Sequence, residues 1–210
     1  MPTRQRELKM PKPQNPLTVL DAIRQRHAVR AFAGEKPDEI CIRELLEAAV
    51  RAPTAMHLEP WAFVIVQDRK LLERYSDRAK GMLLEGLRGR ALAERPDTLG
   101  ARHLTMLEDP AYNIFYDAQT LVVICRKITS PFADADCWLA AENLMLAATA
   151  QGLGTCCIGF AVPLLNAPDI KRELGIPDEG AAVAPIILGR PRKADAPTPR
   201  KPPEILRWLK

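Results

Sequence analysis

Pro53-Thr54-Ala55-Met56-His57-Leu58-Glu59-Pro60-Trp61 stands between a helical pattern and a strand pattern, and its reading decides the architecture around it. Pro53 cannot continue a helix, so the pattern before it stops near Ala52. Pro60 disfavours the α region at Glu59, which predicts an extended residue there and a strand from about Trp61. The composition is neither that of a flexible Gly/Ser linker nor the polar cluster of an ordinary turn. A loop pinned at both ends suits a ligand wall, because its side chains are placed before anything binds. Taken alone, a tight helix-to-strand connection is the plainer reading.

The flanks of this loop are well patterned. Before it, Asp38 caps a helix whose Ile42, Leu45, Leu46, Ala49 and Val50 follow the spacing of a core-facing stripe. After it, Trp61 to Val66 is a nearly continuous apolar run, as in a strand buried on both faces. Upstream, Thr18 and Asp21 mark a helix start, with Leu20, Ile23 and His27 on one face, and the chain then turns through Phe32, Gly34 and Pro37. Downstream, residues 69 to about 92 read as a helix rich in both charge signs, interrupted at Pro96, and 93–115 take no firm assignment. Thr120 to Cys125 is a second buried strand. Asp134 or Asp136 caps a helix running to about Gln151 that is apolar nearly all round, which fits a central core position or a subunit interface. Gly152 and Gly154 end it, Thr155 to Phe160 form a short strand or edge loop, Pro163 to Leu174 form a helix closed by Gly175 and Pro177, and Ala181 to Leu188 form a strand. Helices alternating with short strands predict α/β or α+β, with helices covering a central sheet. Residues 1–16 read as an extended or disordered arm, 17–190 as one domain, and 191–210 as an extended tail rich in Pro, Arg and Lys.

With 210 residues the chain can bury a substantial core, and 47% hydrophobic and 27% charged residues are ordinary globular values. The net charge of +4 has no dense basic stripe interleaved with aromatics, which argues against a nucleic-acid partner. No apolar run approaches the roughly 20 residues of a membrane helix. The basic N-terminus has no apolar core behind it and is not read as a secretory signal. Five cysteines, an odd number set mostly in apolar segments, point to reduced thiols and a cytoplasmic location. None has metal-site spacing, so no structural zinc is expected. Cys156 and Cys157 are adjacent and bridge only with strain, so both are read as buried, inert thiols. Trp61 and Trp138 are read as core aromatics.

Arg26-His27-Ala28-Val29-Arg30 lies where the first helix runs out. Residues four apart share a face while helical geometry lasts, and a helix C-terminus presents carbonyls, so only side-chain cations could hold an anion there. Two arginines and an imidazole supply them, with fork geometry suited to phosphate. A solvated basic face, or arginines satisfying the last helical carbonyls, is the alternative.

Three stretches together carry a resemblance: Arg26 to Phe32 (RHAVRAF), Ala52 to Trp61 (APTAMHLEPW) and Gly152 to Gly159 (GLGTCCIG), in that order. They resemble the signatures of the FMN-dependent nitroreductase family, over about residues 17–203. The resemblance implies an α+β, three-layer sandwich with a central mixed sheet covered by helices, assembled as an intertwined homodimer with FMN at the subunit interface. It implies that Arg26, His27, Ala28 and Arg30 lie at the flavin phosphate and that Arg200, in Arg200-Lys201-Pro202, joins them through a tail wrapping the partner subunit. Pro53, Thr54, Ala55, Met56 and His57 would approach the ring or ribityl chain from the other subunit. The backbone of Cys157, Ile158 and Gly159 would line the opposite side of the ring. Ala28 stands where the family often has serine, and His57 and Glu59 where it often has asparagine and glutamine.

The implied activity is a two-step ping-pong oxidoreduction. NADPH or NADH delivers hydride to flavin N5, and a small-molecule acceptor, such as a nitroaromatic or quinone, then takes the electrons. No catalytic side chain is implied. His103, Met106, Tyr112 and Phe115 are candidates for the acceptor pocket, with a core or surface role the plainer reading. Rival readings keep the fold but change the chemistry to oxidation, dehalogenation or flavin consumption, or make the chain a flavin-binding or storage protein or a helical interaction module without turnover.

Overall fold

In the computed structural model, residues 17–91, 105–193 and 197–210 are described. The arm over 1–16, Pro96, His103 and the part of the unassigned stretch before 105 lie outside them. The elements are α1 (Val19–Gln25), α2 (Glu39–Ala49), β1 (Trp61–Val66), α3 (Arg69–Ala91), a short α4 over 105–108, β2 (Thr120–Arg126), α5 (Ala133–Ala150), β3 (Gly154–Cys157), α6 (Val162–Leu165), α7 (Pro168–Leu174) and β4 (Ala181–Gly189).

The sheet runs β1-β2-β4-β3 and all three strand pairs are antiparallel. The expected mixed character is confined to one isolated parallel bridge, Ala28 with Thr155. Alternation along β2 divides the core into two layers. Leu121, Val123 and Cys125 pack with Tyr75, Phe115, Leu164 and Ile170 on one face. Val122 and Ile124 pack with Leu45, Ala49, Trp61, Leu144 and Ala148 on the other. The α+β, three-layer reading therefore holds.

Local chemistry accounts for the element ends. Thr18 caps α1 by accepting from the Asp21 amide at 3.2 Å, and Asp38 caps α2 by accepting from the Cys41 amide at 2.8 Å. Helix α2 ends at Ala49, three residues short of Ala52, and two tight turns carry the chain on to Pro53. Pro168 has no amide to donate, so the single helix expected over 163–174 is two, α6 and α7, with Asn166 between them bridging Val162 and Ala182. Gly175 closes α7 in the left-handed conformation, φ 69°.

Other expectations are corrected by position. Strand β1 is half-buried at its centre because it is an edge strand, covered by a ladder on one side only. Neither Asp134 nor Asp136 caps α5. Phe132 holds the N-cap position, Asp134 pairs with Arg126 at 2.9 Å, and Asp136 is buried in the first turn. Trp61 is a core residue, but Trp138 is 46% exposed on the outer side of α5.

Candidate functional site

The basic segment is extended, not helical. Helix α1 ends at Gln25, and Arg26 leaves it at φ −58°, ψ 125°. The chain then runs beside β3, with the Val29 amide donating to the Thr155 carbonyl at 2.9 Å and Ala28 opposite Thr155. The approach is so close that a Cβ on Gly154 would lie 2.7 Å from the Val29 Cβ. Side chains of an extended segment alternate, so Arg26, Ala28 and Arg30 share a side through a two-residue period rather than a helical turn. His27 and Val29 fall on the other side, against a cavity of about 650 Å³ bounded by Gly154, Arg192, Lys193 and Pro197. The His27 Nδ1–H donates to the Gln25 carbonyl at 2.8 Å, which leaves Nε2 for another partner. That nitrogen and the neighbouring Thr155 hydroxyl are buried without a hydrogen-bond partner in the described structure. Arg26 reaches Glu142 of α5 at 3.4 Å.

Arg30 opens onto a second cavity, of about 380 Å³, together with Cys157, Ile158, Gly159, Tyr112 and Tyr116. Its guanidinium sits 5.8 Å from the Tyr116 ring centroid, within cation–π range. The two tyrosine rings meet edge to face at 5.8 Å and their hydroxyls are 3.2 Å apart. Burial, and next the hydrogen bond with Tyr116, push the Tyr112 hydroxyl well above the ordinary tyrosine range. Nothing stands within 4 Å of a Cβ built on Gly159, so the backbone there faces open space. Of the acceptor-pocket candidates, Met106 and Tyr112 line this cavity and Phe115 is a fully buried core residue. Tyr116 was missed by sequence reasoning; its i, i+4 spacing from Tyr112 was the available signal. It is held at φ 53°, with Asp117 beside it at 56°.

The Pro-to-Trp loop turns through one 3-10 turn, Ala55–His57, in which Met56 and His57 are left-handed at φ 56° and 53°. Glu59 is not extended as expected but is held at a positive φ of 43°. Met56 is 86% exposed, and Pro53, His57 and Glu59 are exposed as well, while Thr54 and Ala55 are half-buried. The Ala55 amide donates to the Asp136 carboxylate, 3.3 Å from each oxygen. Asp136 lies in the first turn of α5, whereas the basic segment pairs with Thr155, just past the far end of that helix. The Arg26 side chain nevertheless reaches Glu142, only six residues, or about 9 Å, along α5 from Asp136.

All five cysteines are free thiols. Burial pushes Cys125 and Cys137 up to about 12 and Cys41 and Cys157 to about 11. Cys156 is raised by burial against the opposing pull of Arg30 and Arg26. Arg200 lies on the exposed extended tail, three residues beyond Pro197 of the larger cavity. Among the described residues, no helix is long and apolar enough to cross a membrane.

Known proteins resemble this chain over most of its length. The chain is 27% identical to an iodotyrosine deiodinase of Thermotoga neapolitana over 87% of its own length and 91% of that protein's. It is 26% identical to a putative NADH dehydrogenase/NAD(P)H nitroreductase of Methanothermobacter thermautotrophicus, over 83% of this chain and 78% of that one. The crystal structure of a nitroreductase with bound FMN from Bacteroides fragilis superposes with a TM-score of 0.73 at 26% identity, covering 91% of this chain and 97% of that chain. The sequence profile of the Nitroreductase family matches residues 23–190, so the chain belongs to the nitroreductase family.

Proposed function

We propose that this chain is an FMN-dependent oxidoreductase that uses NADPH or NADH to reduce small aromatic acceptors, nitroaromatics and quinones first among them. The observation that carries the reading is the side shared by Arg26, Ala28 and Arg30, on which Arg30 lines a cavity with Cys157, Ile158, Gly159, Tyr112 and Tyr116. Such a surface offers cations, an unobstructed main chain and aromatic walls, the donor set for a planar anionic ligand. Along that side we assign Arg26, with the Arg200 tail, to the phosphate end and Arg30 with Cys157, Ile158 and Gly159 to the ring end, while His27 backs the segment from its other side. When bound, FMN accepts hydride from the nicotinamide and passes the electrons to the acceptor in a second half-reaction. The chain's residues bind, orient and screen, and none is given acid or base work.

The second subunit is part of the proposal. Met56 and His57 are exposed on this subunit, which supports their meeting a flavin held by another copy of the chain. We therefore propose a homodimer, with 17–190 as the folded unit and 191–210 as an arm reaching the partner. The five free thiols favour the cytosol as the compartment.

One preparation tests the reading. The purified protein is expected to be yellow and to bleach anaerobically with NADPH or NADH. A protein that stays colourless with added FMN sinks the proposal, and a yellow protein bleached by neither nicotinamide points to oxidase, flavin-consuming or storage roles. A second reading, reductive dehalogenation of a halophenol, is favoured by the similarity to the protein named iodotyrosine deiodinase and by the tyrosine hydroxyl pair beside Arg30. Release of iodide from 3-iodotyrosine under reducing conditions, with no turnover of nitroaromatics, would replace the first reading by this one.

A further inference from the structure

Asp136 is only 3% exposed, yet among the described residues no lysine, arginine or histidine pairs with it; Arg126 goes to Asp134 instead. Burying a carboxylate without a counter-ion is costly, and a place in the first turn of α5 offsets only part of the cost. Both oxygens serve a single donor, the Ala55 amide at 3.3 Å. Among the described residues, this is the one hydrogen-bonded tie between the body and the chain from Pro53 to Glu59. The Leu58 amide bonds back to Ala55 within the turn, and the Lys127 amide fastens Pro60 only beyond it. Thr54 arrives extended at φ −130°, ψ 146°, and the next two residues after Ala55 are left-handed, so the plane of the Ala55 amide sets where the turn points.

We propose that Asp136 is a positioning residue. Its carboxylate fixes the Ala55 amide and thereby aims Met56 and His57 out of this subunit toward the flavin held by a second copy. The inference rests on the flavin and dimer reading above.

Residue-resolved amide exchange on the full-length protein, paired with FMN titration, tests it. Asp136→Ala should speed exchange at Ala55 about tenfold or more and weaken FMN binding by a similar factor, while amides at the centre of α5, such as Leu144, keep their protection. Asp136→Asn, which retains an acceptor oxygen, should stay within about threefold of the parent on both readouts. If the alanine variant does not fold, Asp136→Ser, polar but too short to span the gap, takes its place. Unchanged exchange at Ala55, a loosened loop with unchanged FMN affinity, loss of protection throughout α5, or an asparagine variant as impaired as alanine would each overturn the proposal. A parent protein that binds no FMN retires the flavin reading instead, and the exchange at Ala55 then decides the tether alone.

Discussion

Met56, His57 and Glu59 are side-chain-bearing residues held at φ 56°, 53° and 43° within four positions. Each such residue costs on the order of 1–3 kcal/mol, which neighbouring structure must offset. Strain of this kind gathers at ligand-binding segments, and here it falls on an exposed loop. His57 and Glu59 point outward, so their effect belongs to whatever covers the loop. Arg30 is the opposite case, an ordinary backbone carrying the decisive charge. Arg30→Ala should weaken FMN binding roughly 10- to 150-fold, the loss expected for a charge-assisted hydrogen bond. Fluorescence titration reads it, and an unchanged affinity removes Arg30 from the site. That Arg26 and Arg30 share a side was legible in the sequence, but the reason was not. Spacing of four suggested a helical face, whereas the segment is extended and groups residues by twos, which sends His27 to the other side.

Among the elements, the pairing of the basic segment with β3 builds the site. Gly154, legible in the sequence only as a helix breaker, is there for close approach, since its missing Cβ is the space Val29 occupies. Gly154→Ala should destabilise the fold by about 1–3 kcal/mol, the usual cost of overpacking, and loosen FMN with it. Val29→Ala in the same chain should restore only part, because the Val29 Cβ itself lies 2.7 Å from the added atom. Thermal unfolding of the single and double variants checks this; a Gly154→Ala protein as stable as its parent would show that the strands separate freely. The helices α2 and α5 and the strands β2 and β4 were readable because hydrophobic periodicity and caps act within a few residues. The break between α6 and α7 was equally local, written in Pro168, but a single apolar pattern ran across it.

For the whole molecule, the informative surface is apolar. On α1, Val19 is 72% exposed, and on α5, against which α1 packs, Trp138 and Leu139 are 46% and 47% exposed. The tail adds Leu206 and Trp208, also largely exposed. Exposed apolar side chains of this sort call for a cover, and under the proposal above a second copy would provide it while carrying its loop onto the flavin site. Light scattering should give twice the 23.4 kDa chain mass. Leu139→Glu should shift the protein toward monomer and release FMN in parallel. A parent protein at the monomer mass, or a monomeric variant with full flavin affinity, would break the link between assembly and site.

The sequence by itself determined the kinds of element, most of their limits and the three motifs, because propensity, capping and proline chemistry are properties of short stretches. It also carried the family. Only the tertiary structure decided which side each basic residue faces, that Glu59 is held at a positive φ, that Tyr116 joins Tyr112 at Arg30, and that the buried Asp136 holds the loop. Each of these joins residues through space, or is imposed by what they pack against, and neither leaves a mark in the order of residues along the chain.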